Sequence, residues 1–269
     1  MGSKIRIDQL MADRGLAVSR ERAKTAVMAG LVYIGEIRID KPGQTVDENA
    51  EITVRGDPVG FVSRGGLKLE KALADFNIDV AGANALDAGA STGGFTDCML
   101  KRGAKHVWAV DVGYGQFAWT LRNDPRVTLM ERANIRHMTP ETIGQPLDFA
   151  AVDLSFISLK LVLPPIHALL TEDCRAVCLI KPQFEAGREL VGKKGVVRDP
   201  AVHIQVLRDF CANAEQAGFY VHALGFSPIR GPEGNIEYLS YMRKTQNVND
   251  IIPPKTLVEQ AHGSLGERT

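Results

Sequence analysis

The hydrophobic and polar positions of the chain keep two different rhythms, and the change comes near residue 57. In the first stretch Ile5, Leu10, Leu16 and Val18 lie along a short helix and its end, with Gly15 placed to stop it. Ser19 is a good N-cap, and a second helix is expected from Arg20 to Ala29, closed by Gly30. Two short apolar runs follow, Leu31 to Ile34 and Ile37 to Ile39, separated by a hairpin-like turn at Gly35-Glu36. After another turn at Lys41-Pro42-Gly43, the alternation from Glu51 to Arg55 predicts a closing strand. Residues 4–56 are therefore expected to form one small α+β unit. Residues 57–62 read as a linker, because two glycines and a proline crowd that junction.

From residue 63 to 244 apolar runs alternate with amphipathic stretches, the pattern of a doubly wound parallel sheet. Strands are expected at Ala85 to Asp87, His106 to Asp111, Val127 to Glu131, Leu147 to Leu154, Ala176 to Ile180, Tyr220 to Leu224 and Ile236 to Met242. Helices are expected at Phe95 to Arg102, ended by Gly103, and at Ile204 to Ala217, ended by Gly218. Residues 245–269 are polar, include Pro253-Pro254 and read as a partly disordered tail.

Composition narrows this picture. With 269 residues, 45% of them hydrophobic and 24% charged, the chain has room for one catalytic-sized globular domain and a small module. Its 32 basic and 32 acidic residues cancel, so any surface for a polyanion has to come from local clustering. Cys98, Cys174, Cys178 and Cys211 form no CxxC pair and no metal-ligand set, which suits reduced thiols in a cytoplasmic protein without a metal. No apolar run approaches the roughly 18 residues of a membrane helix, and the N-terminus lacks the apolar centre of a signal peptide.

Candidate chemistry sits at the ends of the expected strands. Asp87-Ala88-Gly89-Ala90-Ser91-Thr92-Gly93-Gly94-Phe95-Thr96 leaves a strand and opens a helix, where glycines let the backbone approach a ligand. The spacing from Gly89 to Gly93 does not match GxGxxG, and Asp87 would repel a pyrophosphate. The alternative is the DxGxxxGxxT loop of enzymes that use S-adenosylmethionine, whose amino group and sulfonium suit a carboxylate. Asp111 ends the next strand, where a ribose diol is bound in such sheets. Four more charged residues stand near strand ends. Lys68 precedes the first strand, Asp153 ends the fourth, Lys181 ends the fifth just before Pro182, and Glu237 starts the last.

These blocks, in this order, resemble the TlyA-type ribosomal RNA 2'-O-methyltransferases, also called the hemolysin A family. The resemblance covers residues 4–244 and rests on Ser63-Arg64-Gly65-Gly66-Leu67-Lys68-Leu69, Asp87 to Asp97, Val152-Asp153-Leu154-Ser155-Phe156-Ile157-Ser158, Lys181-Pro182-Gln183-Phe184-Glu185 and Gly234-Asn235-Ile236-Glu237. The catalytic half is similar to the FtsJ methyltransferases, which implies a Rossmann-like class I methyltransferase sheet and a Lys-Asp-Lys-Glu tetrad at Lys68, Asp153, Lys181 and Glu237. The N-terminal unit resembles the S4-like RNA-binding module through Arg6-Ile7-Asp8, Ser19 to Lys24 and Gly30-Leu31-Val32.

The resemblance implies S-adenosylmethionine as cofactor, bound by Asp87, Gly89, Ala90, Ser91, Thr92, Gly93, Asp111 and Asn134. It implies cytidine riboses of 16S or 23S ribosomal RNA, within ribosomal subunits, as acceptors. Lys181 is then the group that meets the 2'-hydroxyl, as base or as orienting group, Asp153 stands nearest the methyl, Glu237 orients a lysine, and Lys68 is a candidate to hold the ribose or phosphate. Arg20 and Lys24 share one helix face, with Arg6 and Arg14 nearby, and are expected to meet RNA phosphates. Arg64 and the basic loop with Lys193 and Lys194 are further candidates. A pore-forming hemolysin is disfavoured by the lack of a spanning segment, and a binding protein without catalysis by the intact tetrad. An enzyme acting on small molecules or proteins would not need the RNA-like module.

Overall fold

The computed structural model of the chain describes residues 4–14, 16–17, 20–28, 30–54, 60–192, 194–246 and 251–265. The expected stop at Gly15, the cap at Ser19, and Val18, Ala29, Arg55, residues 57–59 of the expected linker and Lys193 lie outside these. The chain divides into two compact units, Met1–Gly66 and Leu67–Thr269.

The first unit contains β1 (Lys4–Arg6), α1 (Ile7–Asp13), α2 (Arg20–Met28), β2 (Val32–Ile34), β3 (Ile37–Arg38), β4 (Thr45–Asp47) and β5 (Ile52–Val54). Buried Ile7, Leu10 and Met11 on α1 repeat the spacing of Ala23, Ala26 and Val27 on α2, so each helix turns one apolar stripe to a shared core. β2 pairs antiparallel with both β3 and β5, and Gly35 makes the β2–β3 turn with φ +59°. The pairing of β1 with β4 is an addition to the sequence reading, which had no strand at either place. A buried carboxylate ties the helices. Asp8 is 0% exposed, accepts from Arg6 Nε and Nη2 at 3.0 and 2.8 Å, and lies 3.3 Å from Arg20 Nε.

The second unit is built on α3 (Gly65–Asp75), β6 (Asn84–Ala88), α4 (Gly94–Lys101), β7 (His106–Val110), α5 (Trp119–Arg122), β8 (Val127–Met130), α6 (Pro140–Ile143), β9 (Leu147–Val152), α7 (Leu163–Leu169), β10 (Leu170–Ile180), α8 (Pro182–Glu185), α9 (Pro200–Gln216), β11 (Tyr220–Phe226), β12 (Tyr238–Arg243) and α10 (Pro254–Ser264). Seven strands form one sheet in the order β11-β12-β10-β9-β6-β7-β8. The five strands from β10 to β8 are parallel; β6, β9 and the end of β10 are buried along almost their whole length, and β8 at the edge is half-exposed. β12 runs antiparallel to β10 and β11. That reversal matters for chemistry, because it puts the beginning of β12 beside the ends of its parallel neighbours. Ile180 pairs with Tyr238, and Cys178 pairs with Val152.

Several boundaries differ from expectation: β10 begins at Leu170, six residues before the expected Ala176, and Asp111, Asp153 and Glu237 lie just outside β7, β9 and β12. Lys68 lies within α3 rather than directly before a strand. α9 begins at Pro200, where Asp199 caps it by accepting from Ala201 N. The expected disordered tail contains α10, whose buried Leu257, Val258 and Ala261 pack it against α9. Arg230 secures its end, donating from Nε to the Leu265 carbonyl at 2.9 Å. Among the described residues no helix is long and apolar enough to cross a membrane.

The two guanidiniums hold the Asp8 carboxyl at about 2, well below its usual 3.8. The folded unit thus favours the ionised form. Its contribution to stability is present above about pH 4 and is lost as the pH falls through about 2. We expect the amide resonances of α1 and α2 to lose native shifts across that window, and Asp8→Asn to be less stable at neutral pH and flat across it. A wild-type acid profile that Asp8→Asn reproduces would disprove this assignment.

Candidate active site

The site is assembled where strand ends meet. Gly89 leaves β6 with φ +91°, and a Cβ there would lie 2.3 Å from the backbone oxygen of Asp153. Only glycine permits that approach of the β6 and β9 ends. Gly93 has φ +95°, and a Cβ there would meet Leu121 Cδ1 at 2.5 Å. Between them Ser91 N donates to Asp111 Oδ2 at 2.7 Å, and Gly113 N donates to Asp111 Oδ1 at 2.6 Å. One carboxylate therefore gathers the loops that follow β6 and β7.

These loops border a cavity of about 410 Å³ with Gly89, Ser91, Asp111, Asn134, Asp153 and Phe156 among its lining. The lining carries two carboxylates and no lysine or arginine. Such a cavity suits a ligand with positive charge and is a poor place for a pyrophosphate. Asn134 also caps a short 3-10 turn by accepting from Arg136 N at 3.1 Å. Of the other sequence candidates, Asp87, Ala90, Thr92 and Gly93 do not line the cavity. They shape the loop behind it.

Asp87 is 0% exposed and accepts from Thr96 Oγ1 at 2.6 Å, while its Oδ1 has no partner. Burial, reinforced by the charges of Asp153 and Asp111 and opposed by Thr96, pushes this carboxyl up to about 7. A cation bound nearby would favour its ionised form.

Two ion pairs join the four charged candidates, and Asp153 of one of them lines the cavity. Lys181, at the end of β10, places Nζ 2.6 Å from Asp153 Oδ1 and donates to Ser155 Oγ at 3.0 Å. Lys68 Nζ donates to Glu237 Oε2 at 2.6 Å, and the two side chains are 9% and 1% exposed. The four charged residues singled out from the sequence thus meet as two pairs at one end of the sheet. The sequence did not reveal which lysine faces which carboxylate.

Comparison with known proteins places this geometry. The profile of the FtsJ-like methyltransferases matches residues 61–244, and that of the S4 domain matches residues 5–52. The chain is 50% identical to YqxC of Bacillus subtilis over 98% of this chain and 96% of that one. It is 44% identical to the 16S/23S rRNA (cytidine-2'-O)-methyltransferase TlyA of Mycobacterium tuberculosis, over 99% of each chain. The chain belongs to the TlyA-type FtsJ-like methyltransferases. A solved structure from Streptococcus thermophilus, 48% identical, superposes with a TM-score of 0.77 over 98% of both chains.

In this TlyA-type chain the RNA candidates of the first unit are partly engaged. Arg6 and Arg20 share Asp8, and Arg14 donates to the carbonyls of Ala50 and Glu48. Lys24 pairs with Glu21 at 2.9 Å. Arg64 stands half-buried just before α3, and Lys194 is exposed. The structure adds Val112, Gly113, Gln116 and the run from Leu154 to Ile157 to the cavity lining. Phe156 is the most telling of these, at 90% exposure and φ +64°. Its signal in the sequence was an aromatic residue in a loop directly after an acidic strand end.

Removing one member of a buried ion pair strands the other charge. We expect Lys68→Met to lower the unfolding free energy by about 3 kcal/mol, and Lys68→Met/Glu237→Leu to recover most of it. Denaturant titration checks this, and equal losses in the single and double variants would contradict it.

Proposed function

We propose that the chain transfers a methyl group from S-adenosylmethionine to the ribose 2'-hydroxyl of a cytidine in 16S or 23S ribosomal RNA, within ribosomal subunits. The observation that carries this reading is the Lys181–Asp153 contact of 2.6 Å at the rim of a cavity lined by carboxylates. The names of the relatives supply the acceptor class.

The residues fit the cofactor. Gly89 and Ser91 give a close backbone cradle, Asp111 faces a ribose diol, and Asn134 with Ile135 borders an adenine. The unpartnered Oδ1 of Asp87 supplies negative charge behind the loop. Bound there, S-adenosylmethionine supplies an electrophilic methyl, so the chain has mainly to position the nucleophile.

Lys181 does that positioning. As an ammonium it has three N–H donors. Ser155 engages one and Asp153 lies beside the ammonium as its ion-pair partner, which leaves N–H donors available to the 2'-oxygen. Methylation releases the hydroxyl proton, and the Asp153 carboxylate is the acceptor at hand. Lys68, fixed by Glu237, adds positive charge at the same strand ends for the ribose or its phosphate. Exposed Phe156 offers a ring on which an unstacked base can rest, a contact worth about 1–3 kcal/mol. The N-terminal unit, residues 4–56, contributes phosphate contacts through Arg6, Arg14, Arg20 and Lys24, with Arg64, Lys193 and Lys194 in the same role for the catalytic half.

The test is transfer of labelled methyl onto ribosomal subunits lacking the modification. Wild type should label them, and Lys181→Ala should lower the single-turnover rate by about 100-fold or more with cofactor affinity kept. Full-rate transfer by Lys181→Ala would sink the role given to Lys181. Absence of label with wild type that still binds cofactor would sink the acceptor.

A further inference from the structure

The segment that carries Lys181 holds a second group with no role in the account above. Glu185 ends α8, one helical turn beyond Lys181. Its carboxylate faces the loop from Asp153 to Leu159. Leu159 N donates to Oε1 at 2.8 Å, and Ser158 Oγ donates to Oε2 at 2.7 Å. Both carboxylate oxygens are used, each by a different donor of the same loop.

That loop supplies Asp153 and Ser155 to Lys181 and presents Phe156. It is fastened at three points along one short segment. Lys181 holds its start, Phe184 meets Phe156 with ring centroids 5.0 Å apart, and Glu185 holds its end. Phe156 sits between the outer two at φ +64°, a conformation that a bulky side chain keeps only when its surroundings impose it. Glu185 is half-buried. Burial pushes its carboxyl up, and the donors Leu159 N and Ser158 Oγ oppose that.

We propose that Glu185 is a positioning residue, which clamps the Asp153–Leu159 loop to the Lys181 segment and so sets Asp153, Ser155 and Phe156 in register with Lys181. This rests on the assignment of Lys181 and Asp153 to methyl transfer. The carboxylate accepts from both donors as they stand, whereas an alanine at this position accepts from neither.

The test uses the full chain and two readouts, hydrogen exchange of residues 153–159 and single-turnover methyl transfer to unmodified subunits at saturating cofactor and RNA. Glu185→Ala, which removes both acceptors, should speed exchange in 153–159 while β10 and α9 stay protected. It should lower the transfer rate about 10–100-fold with the KM for subunits unchanged. Ser158→Ala should lose part of that rate and add little in the double variant, whereas Ser158→Thr, which keeps the hydroxyl, should behave as wild type. Unchanged exchange in Glu185→Ala, or a loosened loop that still transfers at the wild-type rate, would overturn the clamp. If wild type itself transfers no methyl to ribosomal RNA, the proposed reaction fails separately. The exchange result alone then decides, faster exchange keeping the clamp and unchanged exchange removing it.

Discussion

At Gly89 the backbone passes so close to Asp153 that a single added carbon would lie 2.3 Å from the Asp153 carbonyl oxygen. Much of the site follows from that contact. It brings the ends of two neighbouring parallel strands together, so the loop after β6 becomes the floor of a cavity and the loop after β9 its rim. Asp111 then closes the other side by accepting from the backbone of both adjacent loops. The glycine is a geometric demand of the site as well as a turn residue.

Topology supplies the charges. In a sheet of parallel strands only the carboxyl ends would face the cavity. The antiparallel β12 brings the residue before its start, Glu237, to the same place, 169 positions away in sequence from its partner Lys68. Each lysine gains its own carboxylate, so two cations are held at the strand ends without a pair of bare like charges. The cavity lining holds carboxylates and no lysine or arginine, and Lys68 and Lys181 stand outside it. This division separates a place for a positively charged methyl donor from a place for an anionic acceptor.

Much of the architecture was legible in the sequence, for a physical reason. Strands buried on both faces read as apolar runs, as β9 and the end of β10 do, and all seven strands expected in the catalytic half lie in one sheet. Charged residues after such runs stand out, which is why Lys181 and Asp153 could be read. The β1–β4 pair escaped because Lys4-Ile5-Arg6 and Thr45-Val46-Asp47 each offer a single apolar residue between polar ones. α10 escaped because three buried residues, Leu257, Val258 and Ala261, are hidden in a polar stretch. The clamp by Glu185, the exposure of Phe156 and the sharing of Asp8 by Arg6 and Arg20 depend on who meets whom in space, and local pattern carries little of that. The eight residues named for the cofactor divide for the same reason, since loop membership does not tell which side chains reach the cavity and which, like Asp87, support it from behind.

The central claim is that paired lysines and carboxylates at these strand ends direct a methyl group to a ribose oxygen. Nucleoside mass spectrometry of ribosomal RNA, taken from subunits incubated with the protein and isotopically labelled S-adenosylmethionine, tests it most directly. The account predicts labelled 2'-O-methylcytidine, with the label retained on the ribose after the base is removed. Label that leaves with the base, or appears on no nucleoside while the protein retains cofactor binding, would contradict it.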